Sequence, residues 1–281
     1  MVLVADAETR GILYPSGLPT FARRPPSASA AALVRWFWFS RWDVPAGQTS
    51  RQELLPFPAL NLVVEDSCVG VSGASTARSH RDLVGRGWAV GALLWPAATP
   101  AVTANPPEVL DRYVLLPQPE LHAAVTQCMA GHPTGPLRPR FDTDGAYSAS
   151  TSAADEAASG VVERWLLERI PAPGEEALLA NELVALIDRD PQIRKVEDVA
   201  RAMSLSVRTV QRLTRRYVGL PPLAMIRRRR LQDAAALVRE DPGRSLAGLA
   251  ADLGYADQAH LIREFREVVG FTPGTYRRSV D

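Results

Sequence analysis

Two short apolar runs with identical spacing lie about fifty residues apart near the C-terminus. Val196, Val199, Ala200 and Met203 fall at i, i+3, i+4 and i+7, and Leu246, Leu249, Ala250 and Leu253 do the same. That is the spacing of one buried helix face. Each run is followed by a tight turn, Ser204–Ser206 or Gly254–Asp257, and then by a second helical segment carrying arginine. Each second segment ends in a Gly-x-x-Pro stop, at Gly219–Pro222 and at Gly270–Pro273. Glycine takes the left-handed conformation that closes a helix, and proline cannot continue one. A short helix, a tight turn and a polar-faced helix make a helix-turn-helix, whose second helix enters the major groove of DNA. Two copies narrow the reading far more than one.

The first such segment, Ser206 to Gly219, sorts into two faces. Val210, Leu213 and Tyr217 form an apolar stripe, while Arg208, Gln211, Arg212 and Arg215 recur at helical spacing on another side. Guanidinium and amide groups make bidentate hydrogen bonds to guanine and adenine edges. Ser206 is placed to cap the helix. Between the two units, Pro222 to Arg239 predicts one long helix that opens on proline and buries Leu223, Ile226, Leu231, Ala234 and Val238. Its Arg227–Arg230 block is assigned positioning and folding roles rather than base reading, the alternative being a solvated face with an anchoring ion pair. Charge supports the division. Residues 191–281 hold 17 Lys+Arg against 10 Asp+Glu, a balance of +7, whereas residues 1–190 stand at −6. A basic C-terminal module faces a polyanion, and the acidic remainder has another job.

These residues resemble the DNA-binding domain of the AraC/XylS family of bacterial transcription regulators. The resemblance is carried by Val199-Ala200, Ser206-x-Arg-Thr-Val-Gln-Arg-Leu213, Gly219-x-x-Pro222, Arg230-Leu231 and Leu249-Ala250. It continues through Gly254-Tyr-x-Asp-Gln258, His260, Arg263-Glu-Phe-Arg266, Gly270-Phe-Thr-Pro273 and Tyr276-Arg277. It implies DNA contacts from Arg208, Thr209, Gln211, Arg212 and Arg215 in the first unit, and from Gln258, Ala259, His260, Arg263 and Arg266 in the second. Two positions depart from the family pattern. Thr214 stands where a core aromatic is usual, opposite Phe265 in the repeat, so looser packing of the first unit is expected. Ala259 and Ile262 can touch thymine methyls but donate no hydrogen bonds. The first unit is therefore expected to supply most sequence discrimination.

Ahead of this module the composition changes. Residues 1–30 are rich in Pro, Ala and Ser and predict an irregular arm with one short strand near Ile12–Tyr14. Strand composition follows at Leu33–Pro45, Leu54–Leu55, Leu60–Val64, Cys68–Val71, His80–Val84 and Trp88–Trp95. The fold expected is α+β: an N-terminal antiparallel β barrel or sandwich with helices, then an all-α double helix-turn-helix domain. The divisions are 1–130 for a sensor or dimerisation domain, 131–160 for a flexible linker, 161–190 for connecting helices and 191–281 for the DNA-binding domain. Arg41-Trp-Asp-Val-Pro45, Leu54-Leu-Pro-Phe-Pro58 and Asn61-Leu-Val-Val64 also resemble a poorly characterised domain attached to some of these regulators. Trp36, Trp38, Arg41 and Trp42 are candidate linings of an effector pocket, the alternative being plain core.

No Gly-x-Ser-x-Gly elbow, phosphate-binding lysine loop or His-Glu-x-x-His helix occurs, so no catalytic residue, metal ligand or cofactor is expected. Glu175-Glu176 reads as a helix start that complements the dipole. Cys68 and Cys128 predict two reduced thiols, and no apolar run is long enough for a membrane span. A cytoplasmic, nucleoid-associated protein is expected. Its candidate partners are double-stranded DNA, RNA polymerase, an unknown small effector and a second copy of the chain. The competing readings are a small-molecule-processing enzyme domain fused to a DNA anchor, or a helical protein-interaction module.

Overall fold

A computed structural model of the chain describes residues 20–54, 57–76, 78–130, 152–241 and 243–280. Eight strands come first: β1 (Thr20–Arg24), β2 (Val34–Asp43), β3 (Ser50–Leu54), β4 (Asn61–Glu65), β5 (Val69–Ser72), β6 (Ser79–Leu83), β7 (Arg86–Leu94) and β8 (Tyr113–Leu115). Six of them form one sheet in the order β1-β2-β7-β4-β5-β8, and β3 pairs with β6 as a separate ribbon. All these pairings are antiparallel, as the strand spacing predicts. Strand β1 corrects the expectation of an irregular arm. Pro25 follows the strand rather than interrupting it, and β1 is an end strand, where proline is tolerated. The strand expected at Ile12–Tyr14 lies outside the described residues, as does residue range 131–151 of the expected linker.

The helices are α1 (Thr99–Val102), α2 (Pro119–Met129), α3 (Ala153–Arg169), α4 (Glu175–Arg189), α5 (Val196–Ala202), α6 (Val207–Tyr217), α7 (Pro222–Glu240), α8 (Leu246–Asp252), α9 (Gln258–Val269) and α10 (Pro273–Val280). Helix α3 begins inside the stretch expected to be linker. Its Ala, Ser and Gly content reads as low complexity, yet alanine is the strongest helix former. Ser152 and Asp155 close a capping box, which fixes the start. The small residues have a packing purpose: Ala154, Ala158 and Ser159 are buried where α3 lies over the sheet.

Residues alternate across a strand, so β2 presents two different surfaces. Phe37 and Phe39 are fully buried on the side covered by α2 and α3. Arg41 shares that side and is 6% exposed. Its guanidinium meets Asp155 of α3 at 2.5 Å, and that carboxylate is itself fully buried. Asp155 thus does two things at once, capping its own helix and tying it to the sheet. Removing one partner of a buried pair leaves an uncompensated charge, which costs ~3–5 kcal/mol. Asp155→Ala is therefore expected to lower stability by about 3 kcal/mol or more in chemical denaturation, while Arg41→Met with Asp155→Leu recovers most of the loss.

Candidate nucleic-acid interface

The repeat seen in the sequence is reproduced in the backbone. Ser204 and Gly254 occupy matching turn positions, and both have positive φ, 55° and 71°. Behind each turn an amide closes on the short helix, Leu205 N–H to Ala200 O at 2.8 Å and Tyr255 N–H to Ala250 O at 2.8 Å. The second turn is one residue longer. The second helices are capped alike: Ser206 Oγ accepts from Thr209 N–H, and Asp257 accepts from His260 N–H. Gly219 and Gly270 end them at φ 85° and 88°.

In α6, Val210, Leu213 and Tyr217 are buried, whereas Arg208, Gln211, Arg212 and Arg215 are exposed and Thr209 is half-buried. In α9, Leu261, Phe265 and Val269 are buried, while Gln258, Ala259, Arg263 and Arg266 are exposed. His260 is drawn inward: its ring meets Tyr255 edge-on at 5.2 Å, and its Nε2 is 3.6 Å from Glu264. Tyr255 donates to Glu264, and its hydroxyl is held well above the usual phenol range by burial and by that carboxylate.

Most of the Arg227–Arg230 block is buried, against the alternative of a solvated face. Arg228, Arg229 and Arg230 are buried, because both units pack against α7 and leave few open sides on it. Arg229 donates to Ile193 O, just ahead of the first unit, at 2.9 Å, and meets Asp233 at 3.5 Å. Arg230 donates to Leu253 O, at the end of α8, at 2.9 Å, and stacks on Tyr255 at 3.9 Å. Arg227 is the exposed member, 3.9 Å from Glu264.

Sequence reasoning missed what lies beside the exposed polar face of α6. Glu176, in the first turn of α4, accepts from Arg212 Nη1 with one carboxylate oxygen. With the other it accepts from Arg216 Nη1 at 2.5 Å and from the Tyr217 hydroxyl at 3.3 Å. The double glutamate was visible in the sequence, but its target is 36 residues further on, beyond any local pattern. Helix α6 also docks on the sheet domain, where the buried Thr99 hydroxyl donates to Tyr217 O at 2.7 Å. The second unit docks too, through Arg78 N–H to Val268 O at 2.9 Å.

The proposed effector residues do not converge. Trp36, Trp38 and Trp42 lie on the face of β2 opposite Arg41, which is committed to Asp155. Trp38 stacks on Phe21 at 6.1 Å and donates to Asn61, and its indole covers Gly91 so closely that any side chain there would collide. Trp42 covers Gly87 in the same way. Trp36 packs edge-on against Phe57 and is flanked by Arg23 and Arg35. A different opening, a cleft of about 570 Å³, lies between Thr76, α7 and α9. Its lining includes Ala224, Arg228, Arg263 and Glu267. Among the described residues no cluster of metal-ligand type occurs, and no helix is long and apolar enough to cross a membrane.

A sheet domain braced against two capped helix-turn-helix units defines a class: a two-domain α+β chain with a double helix-turn-helix module at its C-terminal end. Residues 199–279 match a helix-turn-helix domain family, and residues 22–115 match a domain of unknown function (DUF6597). The relatives that share the C-terminal domain include AraC-like transcription regulators. The chain is similar to an AraC-like transcription regulator of Streptomyces lividans, 35% identical over 124 residues, which are 42% of this chain and 40% of that protein. It is also similar to the transcriptional activator RhaS of Escherichia fergusonii, 32% identical over 102 residues, which are 36% of each chain. The matches thus span well under half the length of these relatives. The solved structure of ToxT from Vibrio cholerae aligns over 87% of this chain and 98% of its own, with a TM-score of 0.43 and 11% identity.

The Arg212 hydrogen bond holds the Glu176 carboxyl below its usual range. A depressed folded value means that the pairing contributes fully above the ordinary carboxylate range and is lost only as pH falls through the lowered value. Lowering pH from 8 to 5 is therefore expected to leave Glu176 ionised and bound to Arg212. Carbon-detected NMR of the Glu176 side chain checks this by placing its midpoint below those of exposed glutamates.

Proposed function

We propose that this protein is a sequence-specific DNA-binding transcription regulator in which α6 and α9 enter successive major grooves on one face of a duplex. The observation that carries the reading is shared by both units: the polar, cation-bearing face of the second helix is exposed while its other face is sealed. Helix α7, at 19 residues, is about 28 Å long, close to the rise of one DNA turn. On this reading Arg208, Gln211 and Arg212 read bases, and Arg263 and Arg266 hold phosphates. His260, turned toward Tyr255 and Glu264, serves the structure of its unit. Arg212→Ala is expected to cost ~1–3 kcal/mol at its cognate base pair and to relax selectivity there. Arg263→Ala is expected to weaken all sequences alike and to flatten the salt dependence by about one phosphate contact. Binding titrations on matched and base-substituted duplexes at several salt concentrations measure both. A larger loss of selectivity in Arg263→Ala overturns this division of labour.

A second reading concerns control by a small molecule. An effector shifts an equilibrium only by binding two arrangements unequally. The cleft at Thr76 touches the sheet domain, α7 and α9 together, so its shape depends on how they are docked. Its volume falls within the usual range for ligand sites. A metabolite screen by thermal shift on the full chain is expected to yield a compound whose stabilisation is lost in Ala224→Trp, which fills the cleft. Undiminished stabilisation in that variant places the effector elsewhere.

A further inference from the structure

We infer that Glu176, which lies outside the matched helix-turn-helix residues, is a specificity-determining residue that fixes which edge of the Arg212 guanidinium is offered to DNA. This rests on the reading of Arg212 as a base reader. A free arginine on a helix surface samples many rotamers, and ordering it on binding opposes association. Here Arg212 is held through one atom, Nη1, by a carboxylate on a different helix. The guanidinium has five donors in a rigid fork. With Nη1 occupied, the edge formed by Nε and Nη2 supplies the two parallel donors that guanine O6 and N7 accept. More than half of the Arg212 side chain is exposed, so the contact orients the group without hiding it.

The carboxylate is itself well placed. Its second oxygen is engaged by Arg216 and by the hydroxyl of Tyr217, a side chain only 7% exposed. Glu176 therefore cannot swing away with Arg212 unless it gives up both. Its negative charge also stands next to a groove-facing surface, where it penalises non-specific approach of phosphates. The first effect raises the ratio of cognate to non-cognate binding, the second lowers affinity for both duplexes alike, and neither requires Glu176 to touch DNA. It acts as a positioning residue.

The test uses the full chain and four variants, Glu176→Gln, Arg212→Ala, their combination, and Glu175→Gln as a control for charge alone, since Glu175 is exposed in the same turn. A duplex selected from a random pool serves as the cognate site, and a duplex altered at the base pair lost in Arg212→Ala serves as the competitor. Glu176→Gln is expected to reduce the cognate-to-competitor ratio about three- to tenfold, as for residues coupled in one network. Glu175→Gln is expected to change affinity for both duplexes equally, and Glu176→Gln in the Arg212→Ala background is expected to leave the ratio unchanged. An unaltered ratio in Glu176→Gln overturns the inference, even where melting temperature or overall affinity shifts, as does the same fall in the ratio with or without Arg212. If Arg212→Ala itself keeps full selectivity at every base pair, the reading of α6 fails instead.

Discussion

Helix α7 is the constraint on which the rest depends, because the hydrophobic core of the molecule divides along it. Met225 and Ile226 belong to a core that runs unbroken from the sheet through α3, α4, α5 and α6. Leu231, Ala234, Ala235 and Val238 belong to a second core shared with α8, α9 and α10. The joint between them is the stretch 228–230, three buried arginines. Burying a guanidinium is costly unless its donors are used. Arg229 donates to Ile193 O, ahead of the first unit, and Arg230 to Leu253 O, at the end of α8 in the second, so each buried guanidinium reaches a backbone carbonyl of a different unit. A lysine could not replace Arg230 on equal terms, since only the planar fork both stacks on Tyr255 and reaches Leu253 O. The seam thus fixes the two units relative to one shaft.

That division explains why the units tolerate different chemistry at matching positions. Phe265, Phe271 and Tyr276 pack together with ring centroids 5.9 to 6.4 Å apart, giving the second unit its own aromatic centre. The matching position in the first unit is Thr214, which is 1% exposed and bonds back to Gln211 O at 3.2 Å. A threonine there does not loosen the unit in the way its size suggests, because α4 and the turn at Pro106–Val109 pack against α6 from outside. Gly219 sits so close to Pro106 that a side chain would meet its carbonyl. The first unit borrows a core and the second supplies one.

What the sequence made legible follows the range of the forces involved. The helix-turn-helix units were readable because caps, stops and the spacing of Val199-Ala200 and Leu249-Ala250 are local and occur twice. The antiparallel strands were readable from composition, and the alternation of β2 correctly separates Phe37 and Phe39 from the tryptophans. The same alternation argued against the pocket, since Arg41 and Trp42 cannot face one cavity from a regular strand. What stayed hidden is pairing across distance. That Gly87 and Gly91 on β7 give the indoles of Trp42 and Trp38 room to lie flat depends on strand register. A run of four arginines looks solvated until one knows that two units close over it.

The opposite charge balances of the two halves also take on a definite meaning at α4. This helix is rooted in the sheet domain: Asn181 accepts from Ala97 N–H and donates to Ala32 O, and Asp188 pairs with Arg35 at 2.6 Å with both side chains nearly buried. Its other end carries Glu176 to the basic face of α6. A helix of 15 residues is about 22 Å of stiff rod, so its two ends cannot move independently over short distances. The acidic half thus places a carboxylate, Glu176, beside the exposed arginines of α6, while the contacts at Thr99 and Arg78 hold the two units against the sheet domain.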